Sequence, residues 1–215
     1  MPETGANAAR DRQVGVRELL AVIVLSITAV LTAWSGFEAS KWGGEMSIAF
    51  SRASGARSEA SRSAAEADAA RTFDLTVFGV YVQAVAEGDD VLRQFVETRF
   101  TDHFAVAFDA WVATSPLEDP DAPKGPFAMP EYRPPGEAEA ADADARADAL
   151  FADALENNQR GDDYTLLTVL FALVLFFAAI SQRPRSTTLA WVVLGFAVVL
   201  LLVGVGLLIS FPKII

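Results

Sequence analysis

The chain has 215 residues, a net charge of −11 and no cysteine, so disulfide staples, thiolate metal sites and cysteine nucleophiles are excluded. From Phe37 to Asp163 there are 25 acidic and 11 basic residues, a balance of −14, which argues against binding nucleic acid or an anionic membrane surface. Much of the apolar content is gathered into three runs, Leu19 to Phe37, Tyr164 to Ile180 and Thr188 to Phe211.

Met1 to Gln13 is small and polar, with no apolar pattern able to offset the entropy of ordering, and a disordered tail is expected over 1–15. The next run is long enough for a first transmembrane helix over 16–37. Its basic flank, Arg10, Arg12 and Arg17, raises a signal peptide as competitor. Cleavage needs small residues after a short apolar core, whereas Trp34 follows Ala33 and Phe37 lies just beyond. These aromatics read instead as membrane-interface anchors, Trp34 foremost.

No proline occurs between Pro2 and Pro116, so one helix is expected from the first span to about Ala86, with Gly43-Gly44 a weak point. Small and apolar residues recur in alternating steps of three and four: Ser35, Ala39, Trp42, Met46, Ala49, Ala53, Ala56, Ala60, Ser63, Ala67, Ala70, Asp74, Val77, Tyr81, Ala84. Seven of the ten alanines between Met46 and Ala84 fall on this heptad seam, so alanine abundance alone does not explain it. Such a seam buries little area and favours close backbone approach. Ala49, Ala53, Ala56, Ala60, Ala67 and Ala70 are the candidate interface. Their partner is either a second copy, in a coiled-coil stalk, or another helix of the same chain.

Gly88 supplies a C-cap, and Asp89-Asp90 an acidic N-cap, for a second helix over Asp90 to Ala113. Its stripe of Leu92, Val96, Phe100, Phe104, Ala107 and Trp111, with Phe95 and Phe108 alongside, marks a core more readily than a ligand box. Seven of the ten prolines lie between Ser115 and Gly136, predicting an extended loop over 115–136 that Phe127, Met129 and Tyr132 tack onto the helices, or a partner-binding arm. Glu137 to Asn158 repeats the small-residue spacing through Ala140, Ala143, Ala147, Leu150 and Ala154 and is expected to run antiparallel to the first seam. The acidic helical domain thus spans 38–163.

The last two runs form a hairpin of a second span over 164–181, a basic turn over 182–187 and a third span over 188–211. At ~1.5 Å per residue the two arms reach about 26 and 36 Å, against a hydrocarbon core of roughly 30 Å. Tyr164, Arg183 and Arg185 are further interface anchors. Arg10, Arg12, Arg17, Arg183 and Arg185 on one side outnumber Lys41, Arg52, Arg160 and Lys213 on the other, which puts the N-terminus in the cytoplasm and the helical domain outside.

Candidate chemistry is sparse. His103 is the only histidine, and its neighbours Asp102 and Asp109 do not share its helix face, so it reads as a hydrogen-bonded residue at a core edge. Asp142, Asp144 and Asp148 mimic part of a calcium loop, but Arg146 and Ala147 stand where an oxygen ligand and glycine are needed. Loose calcium binding by Glu118, Asp119 and Asp121 competes with a solvated acidic loop. The apolar runs hold no charged residue, and GxxxG is absent; Ser26, Thr28, Thr32 and Ser35 of the first span could line a pore but ordinarily bond back to their own helix.

The segments TAWSGFEASKW and DDYTLLTVLFALVLFFAAISQRPRSTTLAWVVLGFAVVLLLVGVGLL resemble a group of bacterial membrane proteins, a domain of unknown function with one N-terminal span, a helical soluble segment and a C-terminal hairpin. The resemblance implies a bacterial inner membrane and carries over no functional residue. The expectation is an all-α membrane protein, three transmembrane helices with a helical soluble domain between spans 1 and 2. It would be a scaffold or interaction protein in the lipid bilayer, self-associating as a homo-oligomer through the alanine seam or holding another protein partner. No catalytic residue, cofactor, metal or nucleic acid is expected. A subunit of an oligomeric channel or transporter lined by the first span is the alternative.

Overall fold

The computed structural model describes residues 3–183 and 186–214, with side chains of the first helix described from residue 15 onward. All regular structure among these residues is helical: α1 (Glu3–Glu87), α2 (Asp90–Glu97), α3 (Asp102–Val112), a short 3₁₀ turn (Pro126–Ala128), α4 (Glu137–Ile180) and α5 (Thr187–Ser210). Three of them, α1, α4 and α5, contain stretches long and apolar enough to cross a membrane. The chain divides into two compact units, Met1–Phe50 with Phe151–Ile215, and Ser51–Leu150.

Backbone helix begins at Glu3, within the segment expected to be a disordered tail; Ala6, Ala8, Ala9 and Arg10 have high helix propensity, and no proline follows Pro2 to stop the helix. Gly43-Gly44 does not interrupt α1. Its C-terminus is closed by Gly88 at φ +70, a conformation only glycine adopts without strain, with the Asp89 amide donating to the Ala84 carbonyl at 2.9 Å.

In the first unit α1 and α4 run antiparallel. Phe50 meets Phe151 with ring centroids 5.4 Å apart, and Arg160 lies 4.7 Å over the Trp42 ring. The α4–α5 hairpin closes through Phe177 on Phe196, centroids 4.9 Å apart. Gly204 faces the Phe171 ring so closely that a Cβ there would stand 2.6 Å from its Cε1 atom. Small residues line the interior, among them Ala21, Thr28, Ala178, Ala190 and Ala197, while Leu19, Ile23, Val30, Leu166, Phe176, Val192, Leu202 and Ile209 face outward.

In the second unit the seam alanines Ala53, Ala56, Ala60 and Ala67 are buried, as are Ala143 and Ala147 of α4, and Ala70 is half-buried. Arg57 pairs with Asp144 and Asp148, Glu59 with Arg146 and Arg71 with Glu137, so numbers rise on one helix as they fall on the other. Ala49 is likewise buried in the first unit. The candidate interface is therefore covered within one chain and not held open as a stalk surface; small side chains let the return helix come close enough to occupy it, and a second copy would have to displace α4.

One further expectation needs correction. The helix predicted over Asp90 to Ala113 is broken into α2 and α3, with Thr98 closing one and Thr101 in extended conformation opening the other. The Thr101 hydroxyl bonds to Asp74 of α1, a tertiary contact that pulls the chain out of helical register. The return helix leads straight into the second apolar run, α4 continuing through Asp162 and Asp163 to Ile180.

Gly136, at φ +85, opens α4 beside the Ser63 carbonyl of α1, where a Cβ would collide with the backbone oxygen. Gly136→Ala is expected to destabilise the second unit by about 2–4 kcal/mol, from left-handed strain plus overpacking, read as a lowered denaturant midpoint.

Candidate functional site

A buried carboxylate organises the aromatic end of the second unit. Asp74 occupies a seam position of α1 and is 1% exposed. Its Oδ1 accepts from the Thr101 hydroxyl at 2.7 Å, and its Oδ2 contacts His103 Nε2 at 2.7 Å and accepts from the Tyr132 hydroxyl at 3.0 Å. Polar groups from α3, its N-cap and the proline-rich segment thus converge on one carboxyl, which is how a polar side chain this deep becomes tolerable. The partner of His103 is therefore Asp74, 29 residues away in sequence, and neither Asp102 nor Asp109.

This geometry is not that of a catalytic triad. There the orienting carboxylate and the nucleophile use opposite ring nitrogens. Here Asp74 at 2.7 Å and the Thr101 hydroxyl at 3.3 Å both address Nε2. The cluster acts as a tether, holding α3 and the proline-rich segment on α1.

Around the tether, Phe78, Tyr81, Phe100, Phe104, Phe108, Phe127 and Tyr132 interlock. Tyr81 and Phe108 are 4.9 Å apart, Phe104 and Phe127 5.2 Å, and Phe127 and Tyr132 5.1 Å. Phe127, Met129 and Tyr132 do tack the loop down, and the Trp111 indole donates to the Pro123 carbonyl at 2.7 Å. Phe95, assigned to the core flank by its spacing, is instead exposed beneath Arg99.

Beside this core an open apolar cleft of about 490 Å³ is lined by Phe78, Tyr81, Val82, Val85, Trp111 and Leu117, with Glu118 and Lys124 at its edge. Burial first, then the charge of Glu97, raises the Tyr81 phenol above its ordinary value, so it lines the cleft as a neutral hydroxyl. Leu117 is 91% exposed, which leaves the cleft uncapped. Its volume lies in the range of ligand and side-chain pockets, roughly 300–1,000 Å³.

The remaining sequence candidates are dispersed. Asp144 and Asp148 are engaged by Arg57, and Asp119 accepts from the Asp121 amide at 2.9 Å. Among the described residues no three acidic or histidine side chains are grouped to hold a metal. Thr28 and Thr32 donate to the carbonyls of Val24 and Thr28 at 2.6 and 2.7 Å, the back-bonding expected of helix hydroxyls. Trp34 is exposed beside Phe37, their ring centroids 5.8 Å apart, and Arg183 is exposed; Arg185 and Pro184 lie outside the described residues. Tyr164, expected to anchor at an interface, is instead fully buried, because its ring packs on Phe211 and its hydroxyl donates to the Pro212 carbonyl at 2.9 Å.

Sequence reasoning missed two residues. Asp74 was visible as the one carboxylate on an otherwise small or apolar seam. Glu38, fully buried in the first unit, sits just past the first apolar run and escaped a search confined to that run.

No family model, curated protein or solved structure matches the chain.

Asp74→Ala should lower stability by about 2–4 kcal/mol, because Tyr132, Thr101 and His103 lose their shared partner at once, and the loss is read from the thermal unfolding midpoint. Alkaline titration supplies a second check. Burial, then the Asp74 hydrogen bond, raises the Tyr132 phenol above its ordinary value. A raised folded-state value means that the stabilisation is complete below the unfolded tyrosine value of ~10 and is lost as pH climbs beyond it toward the folded value. Tyr132→Phe should therefore flatten the decline in stability above pH ~10.

Proposed function

We propose that the protein is an integral membrane scaffold or interaction protein without catalytic activity, anchored by three spans with its acidic helical domain between spans 1 and 2. Membrane insertion is supported by three helices with long apolar stretches and by the large apolar side chains, such as Leu19, Val30, Leu166, Val192 and Ile209, that remain exposed around the first unit. Resemblance to bacterial three-span proteins supports the inner membrane as its location. Five arginines, Arg10, Arg12, Arg17, Arg183 and Arg185, favour a cytoplasmic N-terminus and hairpin turn, with the helical domain outside.

The observation that carries the interaction role is the open cleft beside Leu117. Because α4 covers the alanine seam, association with a second copy or with another protein falls to this cleft, and an inserted apolar side chain is the complement its aromatic floor selects. The channel alternative depends on hydroxyls in the first span; those of Thr28 and Thr32 are spent on their own helix, and Ser35 is buried.

Absence of cysteine makes the topology directly testable. With Asp121→Cys, a membrane-impermeant maleimide should label intact cells; labelling only after lysis would reverse the orientation. A photo-crosslinking amino acid at position 117 should give one discrete adduct in membranes, and Val85→Asp should weaken it at least tenfold by placing a charge in the cleft. An adduct pattern indifferent to Val85→Asp would remove the cleft from the proposal.

A further inference from the structure

Ser35, Glu38 and Trp42 share one face of α1 in the first unit, spaced by three and four residues, and all are buried. Glu38 is 0% exposed. Its Oε2 accepts from the Ile214 amide at 3.1 Å, whereas Oε1, Ser35 Oγ and Trp42 Nε1 have no hydrogen-bond partner among the described residues.

The segment following α5 packs against this site. Phe211 stacks edge-on against Tyr164 with ring centroids 5.5 Å apart, Pro212 accepts from the Tyr164 hydroxyl at 2.9 Å, and Ile214 donates to Glu38. Lys213 turns back, its Nζ donating to the carbonyls of Ile209 and Phe211 at 3.3 and 3.1 Å. The contact to Glu38 is thus a single backbone hydrogen bond and not an ion pair. With Tyr164 on α4 and Glu38 on α1, four residues join all three helices of the unit.

Opposed effects act on this contact. Docking secures a hydrogen bond to a charged acceptor and covers Phe211 and Ile214. It also keeps a carboxylate from water with one oxygen unpartnered, together with a hydroxyl and an indole N–H, and burial of such groups is unfavourable. Residues 211–214 are not helical, so tertiary contacts alone hold the segment down.

We propose that residues 211–214 form a strap that opens and closes over Glu38, whose carboxylate is the latch, while hydration of Ser35 and Trp42 favours opening. The open form presents a polar site at the junction of three helices; the closed form seals it.

Thiol labelling tests this in the full chain in lipid nanodiscs, since each introduced cysteine is the sole one. A Ser35→Cys reporter should label slowly. Adding Glu38→Ala, which removes the latch, should accelerate labelling about tenfold, the change expected for a lost hydrogen bond to a charged group. Adding Glu38→Gln, which keeps an acceptor without a buried charge, should leave labelling as slow or slower. A Thr28→Cys reporter deeper in the same unit should not respond to Glu38→Ala. Equal rates in all three Ser35→Cys backgrounds would overturn the proposal, as would acceleration at Thr28→Cys, which would mean unfolding of the unit. Hydrogen exchange on the unaltered chain gives an independent reading: the Ile214 amide should be protected about tenfold, far less than Leu201 within α5. Exchange at the unprotected rate would show that no strap docks, and exchange as slow as Leu201 would show a fixed clamp; either result sinks the idea.

Discussion

Close approach of two backbones along a small-residue seam is the constraint on which the rest of both units depends. In the second unit Ala53, Ala56, Ala60 and Ala67 leave a shallow face on α1, and Ala143 and Ala147 of α4 let the return helix settle against it; in the first unit small residues such as Ala21, Thr28, Ser35 and Ala49 are buried on the same helix. Side chains of this size supply little hydrophobic stabilisation, about 25 cal/mol per Å² of a small area. What they permit is intimate van der Waals contact, with longer residues confined to the flanks. Arg57 with Asp144 and Asp148, and Glu59 with Arg146, then set the antiparallel register without carrying the packing.

Because the seam is thin, each unit needs bulk elsewhere. In the second unit it comes from the aromatic cluster where α1, α3 and the proline-rich segment meet, organised on Asp74. In the first it comes from Phe171, Leu167, Val174 and Leu201, where Gly204 makes room for the Phe171 ring. The two fully enclosed carboxylates behave differently. Asp74 has three partners from different segments, so its position is over-determined. Glu38 has one, with its second oxygen unpartnered among the described residues, so its position is held by fewer contacts.

Most of the helix inventory was legible in the sequence. The proline-free stretch after Pro2, the Gly88-Asp89 cap pair and the proline run after Ser115 are local signals, and local signals act through backbone sterics that the chain carries with it. The aromatic core was legible for the same reason, since Phe104, Ala107 and Phe108 repeat at helical spacing. The candidate sites were harder. Asp102 and Asp109 are the carboxylates near His103 in sequence, while its partner, Asp74, comes from another helix. The break at Thr98 to Thr101 was hidden as well, because its cause is a hydrogen bond to that same distant Asp74.

Composition and periodicity alone determined an all-helical chain with three stretches apolar enough to cross a membrane, an acidic portion between the first two and a seam of small residues along the first helix. These depend on hydropathy and backbone propensity, which sum over neighbours in sequence. Only the tertiary structure decided what the seam faces, which carboxylates are enclosed, which donors reach them and where a cleft stays open. Those outcomes depend on which distant residues share a few ångströms of space. A stripe of alanines accepts a second copy or its own chain equally well, and α4 happens to follow at the right length to fill it.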